Sequence, residues 1–200
     1  MEQGSGNLTY LPHWTWPGRE GEVTPVFVYT NYPTAELFIN GKSYGKQSKN
    51  NSSLKNRYRL MWMDTKYEPG EVKVVAYDKN GKAVAEKVVR TAGKPHHIEL
   101  VSNRNELTAD GKDLAYVTVK VVDKDGNLCP ADNRQINFSV KGTGKYRAAA
   151  NGDPTNLEQF HLPKMHAFNG MLTAILQAGE TAGEIVFTCL LYTSPSPRDT

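Results

Sequence analysis

Hydrophobic and polar residues alternate with a period of two along most of this chain. Glu71-Val72-Lys73-Val74-Val75-Ala76-Tyr77 reads as a strand, and so does Leu114–Val122. β-Branched residues and tyrosine dominate both runs, as a pleated, half-buried surface favours. Two-residue turn signals lie between such runs. Asn40-Gly41 separates Ala35–Ile39 from Ser43–Lys46, Asn80-Gly81 separates Val72–Asp78 from Ala83–Val89, and Asp125-Gly126 follows Val117–Val122. Both dipeptides tolerate the positive φ that a type I′ turn demands at its central residues, so three hairpins are predicted. No stretch of helical length carries a clean apolar i, i+3, i+4 pattern with caps. The pattern predicts an all-β fold.

Gly93 and Pro95 interrupt the alternation, which restarts at Ile98-Glu99-Leu100. Charge changes at the same place: residues 1–94 carry 14 Lys+Arg against 9 Asp+Glu, and residues 95–188 carry 9 against 11. Each half has about 95 residues, the size of a seven-stranded sandwich. The expectation is two tandem immunoglobulin-like β-sandwich domains, 1–94 and 95–189, followed by a disordered C-terminal tail, 190–200. In that tail Ser194-Pro195-Ser196-Pro197 cannot sustain ladder hydrogen bonds. The segment resembles a translated adapter or vector read-through, which would exclude it from the natural fold and place Cys189 at the junction.

Composition narrows the function classes. The chain has 200 residues, 38% of them hydrophobic and 22% charged, with a net charge of only +3. That balance argues against a dedicated nucleic-acid binder. No apolar run reaches the ~18 residues of a membrane span. Cys129 and Cys189 offer no metal-ligand spacing and cannot staple a chain this size. A complete large barrel typically needs about 250 residues, so a self-contained barrel enzyme is not expected.

Candidate chemistry is sparse. A glycosidase needs two carboxyls on a rigid frame. Glu20 and Glu22 are an alternate-residue pair, but they lie in the Gly-rich turn Pro17–Glu22, where pairing with Arg19 is the simpler role. No Gly-x-Ser-x-Gly elbow occurs. Cys129 precedes Pro130 with no histidine nearby and reads as a half-buried structural thiol. His96 and His97 are adjacent, so a strand would aim them at opposite faces. His161 and His166 could converge, with no third ligand evident. Asp110, Asp113 and Asp153 could meet in a loop-end calcium site, whereas Asp123-Lys124-Asp125-Gly126 lacks the distal glutamate of a calcium loop and reads as a hairpin turn. Gly142-Thr143-Gly144-Lys145 has no helix start behind it to hold a phosphate. Lys46, Lys49, Lys55, Arg57 and Arg59 make a basic stretch around Asn50–Ser53, by default a solvated loop. The Asn-x-Ser/Thr sequons at Asn7, Asn51 and Asn137 establish nothing about glycosylation. No cofactor motif is present.

The aromatic string His13-Trp14-Thr15-Trp16-Pro17 is more pointed. Extended, it sets Trp14 and Trp16 on one face, where indoles could stack on sugar rings; core packing is the ordinary alternative. Trp62, within Leu60–Met63, reads as core.

The string from Leu11 to Val26, with Ala35-Glu36-Leu37-Phe38-Ile39-Asn40-Gly41-Lys42-Ser43, resembles the β-sandwich module that follows the catalytic barrel in bacterial β-galactosidases of glycoside hydrolase family 2. Ile98–Leu100, Leu107–Leu114, Asn151–Pro154 and Ala167–Gly170 resemble the immunoglobulin-like C-terminal domain that comes next. The likeness covers about residues 8–188. It implies a parent enzyme that hydrolyses terminal β-galactosides with retention, through two carboxylates carried on a barrel this chain lacks. No residue here matches a catalytic motif. The chain is therefore expected to be an inactive C-terminal fragment whose sandwiches scaffold the missing barrel. The alternatives are a stand-alone carbohydrate-binding module using Trp14 and Trp16, or a structural adhesin-like repeat. Expected partners are the barrel and possibly carbohydrate, with neither nucleic acid nor membrane. Family members are often exported to the periplasm, though no signal is readable here. A face that met a barrel would leave an apolar patch near Trp14–Val28.

Overall fold

The computed structural model describes residues 13–50 and 57–191. The chain divides into two compact units, Met1–Thr91 and Ala92–Thr200. The division follows from hydrogen bonding. Thr91 belongs to the first unit, its N–H donating to Gly70 O and its hydroxyl to Trp14 O. Two residues on, Gly93 N–H donates to Asp123 in the second unit.

The first unit contains β1 (Val26–Tyr29), β2 (Thr34–Ile39), β3 (Lys42–Ser48), β4 (Arg59–Trp62), β5 (Glu71–Tyr77) and β6 (Ala83–Arg90). A four-stranded sheet ordered β3-β2-β5-β6 accompanies a two-stranded sheet, β1-β4, and the pairings are antiparallel. Alternation aims one set of side chains inward. Ala35, Leu37 and Ile39 of β2 pack with Val72 of β5, Leu60 and Trp62 of β4, and Trp14 and Tyr67 from the connecting segments. The result is a sandwich core rich in aromatic rings.

The second unit contains β7 (His97–Ser102), β8 (Leu114–Val122), β9 (Gln135–Gly142), β10 (Gly144–Ala150), β11 (Lys164–His166), β12 (Met171–Ala178) and β13 (Ile185–Leu191). Sheets β10-β12-β8-β7 and β11-β9-β13 form a seven-stranded, all-antiparallel sandwich. Its core is mainly aliphatic, built on Val119, Val121, Ile136, Met165, Leu172 and Ala174, with Phe138 stacked on Tyr146 and Phe187. Strand β13 continues through Leu190 and Leu191, opposite Asn137 and Ile136. The tail boundary expected at residue 190 is therefore two residues early, because β9 still offers backbone partners there. The Ser-Pro segment lies outside the described residues.

Of the three predicted type I′ hairpins, only Asn40-Gly41 has both central residues at positive φ, 49° and 80°. This turn is also clasped from outside. Asn40 accepts the Glu71 N–H and donates to Pro69 O. Gly70 makes room for that clasp, since a Cβ there would stand 2.0 Å from Asn40 Oδ1, and its own φ is 135°. The other two turns differ from expectation. Asn80 and Asp125 are not at positive φ; only Gly81 and Gly126 are. Each loop is an i→i+3 turn closed by a left-handed glycine, the three-residue hairpin form. The cause is the preceding aspartate. Asp78 Oδ1 accepts the N–H groups of Asn80 and Lys82, and Asp123 Oδ1 accepts those of Asp125 and Asn127.

Candidate functional site

The aromatic string at the start of the first unit is split by burial. Trp14 is 4% exposed, its indole N–H donates to Glu68 O at 2.9 Å, and its ring meets Tyr67 edge-on at 5.3 Å. It offers no open face to a ligand. Trp16 is half-buried against the same core, with His13 at 4.5 Å and the Arg19 guanidinium 5.8 Å from its ring centre. The two indoles therefore form no shared exposed platform, and Trp16 is the accessible member of the pair. His13 is buried, its Nδ1 accepts the Thr15 N–H, and burial lowers its pKa. Trp62 is buried too, with its N–H on Gly45 O.

Several carboxylates are occupied by structural work. Glu22 pairs with Arg19 at 2.9 Å, and Glu20 accepts the Gly18 N–H. Glu36 is held below the usual carboxylate range by the Ser43 hydroxyl, helped against burial by Tyr77 and Lys46. Asp123 is 2% exposed. Burial pushes its pKa up, but hydrogen bonds from the Gly93 N–H, the Asn127 side chain and N–H, and the Asp125 N–H outweigh that and hold it at about 2. Asp132, also buried, receives the Arg134 Nε–H at 2.9 and 2.8 Å. Neither Asp123 nor Asp132 is conspicuous in the sequence as a buried anion, since each sits in a polar loop.

The proposed metal ligands do not assemble. Asp110 caps the Lys112 and Asp113 N–H groups, Asp113 takes Thr108 N–H and Arg104, and Asp153 caps Thr155. His166 turns to Glu158 at 2.9 Å. Among the described residues no group of three His, Cys, Asp or Glu could hold an ion. His96 and His97 do not point apart as expected; their Nδ1 atoms are 3.0 Å from each other. Strand β7 begins only at His97, so the pleat does not constrain His96. The Gly142–Lys145 segment joins β9 to β10 directly. The basic stretch is dispersed, with Lys46 over the Tyr77 ring, Lys49 donating to Thr30 O and Arg59 over Phe27. Lys55, Asn51 and Asn7 lie outside the described residues, and Asn137 sits in β9. Cys129 is fully buried, beyond the half-burial expected, and burial, then Asp123 and Asp132, raise its pKa. Burial pushes Cys189, in β13, up to about 12. Among the described residues no helix is long and apolar enough to cross a membrane.

One surface stands out in the first unit. Val26, Val28, Leu60 and Trp62 face the core, so the opposite face of β1 and β4 presents Phe27 and Tyr29 beside Met61 and Arg59. Tyr29 is 58% exposed, and near the ends of this sheet Met63 is 50% and Val23 52% exposed. Phe27, Arg59 and Met61 on that face are half-buried, so Tyr29 is its exposed apolar member.

Residues 98–191 match the family described as glycoside hydrolase family 2 C-terminal domain 5, and residues 21–85 match a domain of unknown function, DUF4982. The chain is 42% identical over 182 residues to the β-galactosidase BoGH2A of Bacteroides ovatus, covering 90% of this chain and 20% of that protein. It is 35% identical over 147 residues to a putative β-glucuronidase of Formosa agariphila, covering 72% and 14%. Among solved structures, a β-glycosidase from Bacteroides vulgatus superposes with a TM-score of 0.81 at 32% identity, over 90% of this chain and 22% of that one. A glycosyl hydrolase family 2 member from Bacteroides cellulosilyticus gives 0.78 at 32%, over 90% and 24%. The chain thus spans a fifth or less of the length of these curated relatives.

Proposed function

We propose, starting from the fact that this chain carries the C-terminal β-sandwich domains of glycoside hydrolase family 2, that it is the non-catalytic scaffold of a β-galactosidase-type enzyme. The parent reaction in this reading is retaining hydrolysis of terminal β-galactosides, with both carboxylates on a barrel outside this chain. β-Galactosidase is favoured over β-glucuronidase because the 42% identical relative bears that name. One observation carries the non-catalytic part. A glycosidase acid must keep its proton near neutral pH, which takes a raised pKa. Among the described carboxyls with a clear shift, Glu36, Asp110, Asp113 and Asp123, every one is lowered. The barrel's seat is the outer face of β1 and β4 around Tyr29, with Met63 exposed just past the end of β4.

The test is a domain exchange. Replacing the matching region of the Bacteroides ovatus relative with this chain should preserve turnover of a chromogenic β-galactoside, and deleting the region should abolish soluble activity. Full activity after deletion would remove the scaffold role. Enzyme-like turnover by the isolated chain would remove the non-catalytic one.

A further inference from the structure

Among the described residues, strand β13 of the second sandwich pairs only with β9, and β7 only with β8, so each sheet ends there in an edge strand. Between those two edges lies a cleft of about 840 Å³, bordered by Leu100 and Ser102 of β7 and by Ile185 and Phe187 of β13. Its floor is formed by Ala115 and Val117 of β8 with Leu176 and Ala178 of β12, all four buried. Each strand contributes residues two apart, so the apolar positions repeat at the ~7 Å spacing of side chains on one face of a strand.

The edge itself is unprotected. Strand β13 reads Ile-Val-Phe-Thr-Cys-Leu-Leu, with no charge, proline or glycine. Edge strands normally carry such blocking features, because a free row of N–H and C=O groups is a template for pairing. The rim adds a sign. Glu106 and Glu184 border the cleft and have no ion-pair partner among the described residues, whereas the one arginine there, Arg104, is taken by Asp113 at 3.1 Å.

We propose that this cleft is an acceptor groove for one further β-strand: an extended polypeptide segment with apolar residues at every second position and basic residues at its ends. Its backbone pairs with the free edge of β13, its apolar side chains fill the cleft, and its basic ends meet Glu106 and Glu184. Main-chain pairing supplies affinity and the alternate pockets supply register, as in other strand additions. This inference does not depend on the parent activity.

The test uses the whole chain and a fluorescent peptide of about nine residues, alternating valine and threonine between terminal lysines. Saturable binding is expected in polarisation titrations, with new hydrogen-exchange protection confined to the Ile185–Leu191 amides. Replacing the terminal lysines by glutamates, or combining Glu106→Gln with Glu184→Gln, should weaken binding roughly five-fold, the scale of two exposed ion pairs. A same-composition peptide with its valines contiguous should bind at least as weakly. Equal binding by that control, protection away from β13, or absence of binding would overturn the proposal. So would self-association of the chain through β13 that the peptide fails to compete away, since the occupant would then be a second copy.

Discussion

The turns Asp78–Lys82 and Asp123–Asn127 have almost the same sequence and the same local hydrogen bonds, one in each unit, yet they do different work. Asp78 stands at an exposed hairpin tip and satisfies only its own loop. Asp123 is buried and adds the Gly93 N–H and the Asn127 amide to its partners, fastening the start of the second unit to the β8–β9 turn. A short motif decides the path of the backbone. Its surroundings decide how much stability hangs on the carboxylate. The cores differ in a parallel way: the first unit rests on large rings, with the Trp14 and Trp62 N–H groups bonded to backbone carbonyls, the second on aliphatic alternation across two sheets.

The contrast can be broken most forcefully in the aromatic core. Trp14→Ala removes a buried ring and its bond to Glu68 O, and should cost about 3–5 kcal/mol. Native-state hydrogen exchange should show the loss in the first unit's amides, with those of the second unchanged. Next in size, Asp123→Ala strands several N–H groups and should destabilise the second unit by about 2–3 kcal/mol. Asp78→Ala, at a half-buried position in a hairpin tip, should cost under ~1 kcal/mol. Chemical denaturation of both variants compares them directly, and equal losses would erase the distinction between the turns.

Acid sharpens it further. The folded Asp123 carboxyl titrates at about 2, below its ordinary value of 3.8. A lowered folded pKa contributes stability that is fully present above the unfolded value and is lost as pH falls through the folded one. The second unit should therefore weaken between about pH 4 and pH 2, and Asp123→Asn should flatten that slope in urea titrations. The smallest effect concerns the thiols. Cys129 and Cys189 both have raised pKa values, so in the folded chain at pH 8 iodoacetamide should label neither appreciably, and both after unfolding.

Much of this fold is legible in the residue order, for reasons particular to it. Strict alternation in β5 and β8 leaves one strand face with nowhere to go but a core, and Asn40-Gly41 admits one tight turn. The Asn80 and Asp125 turns mislead because the controlling residue is the aspartate two places earlier, whose side chain captures the loop. Trp14 and Trp16 share a face in an extended strand, but burial depends on Tyr67 and Glu68, fifty residues away. The His96–His97 contact is likewise invisible, because it turns on where β7 begins. The open side of the second sandwich depends on which strands end as edges, a property of topology that no local pattern encodes.

The domain exchange with the Bacteroides ovatus relative tests the scaffold role most directly. The predicted result is a soluble chimera that hydrolyses a chromogenic β-galactoside at a rate close to the intact enzyme, while Tyr29→Glu with Met63→Glu on the outer β1–β4 face lowers its melting temperature. A deletion lacking both sandwiches that remains as active and as stable as the intact enzyme would contradict it.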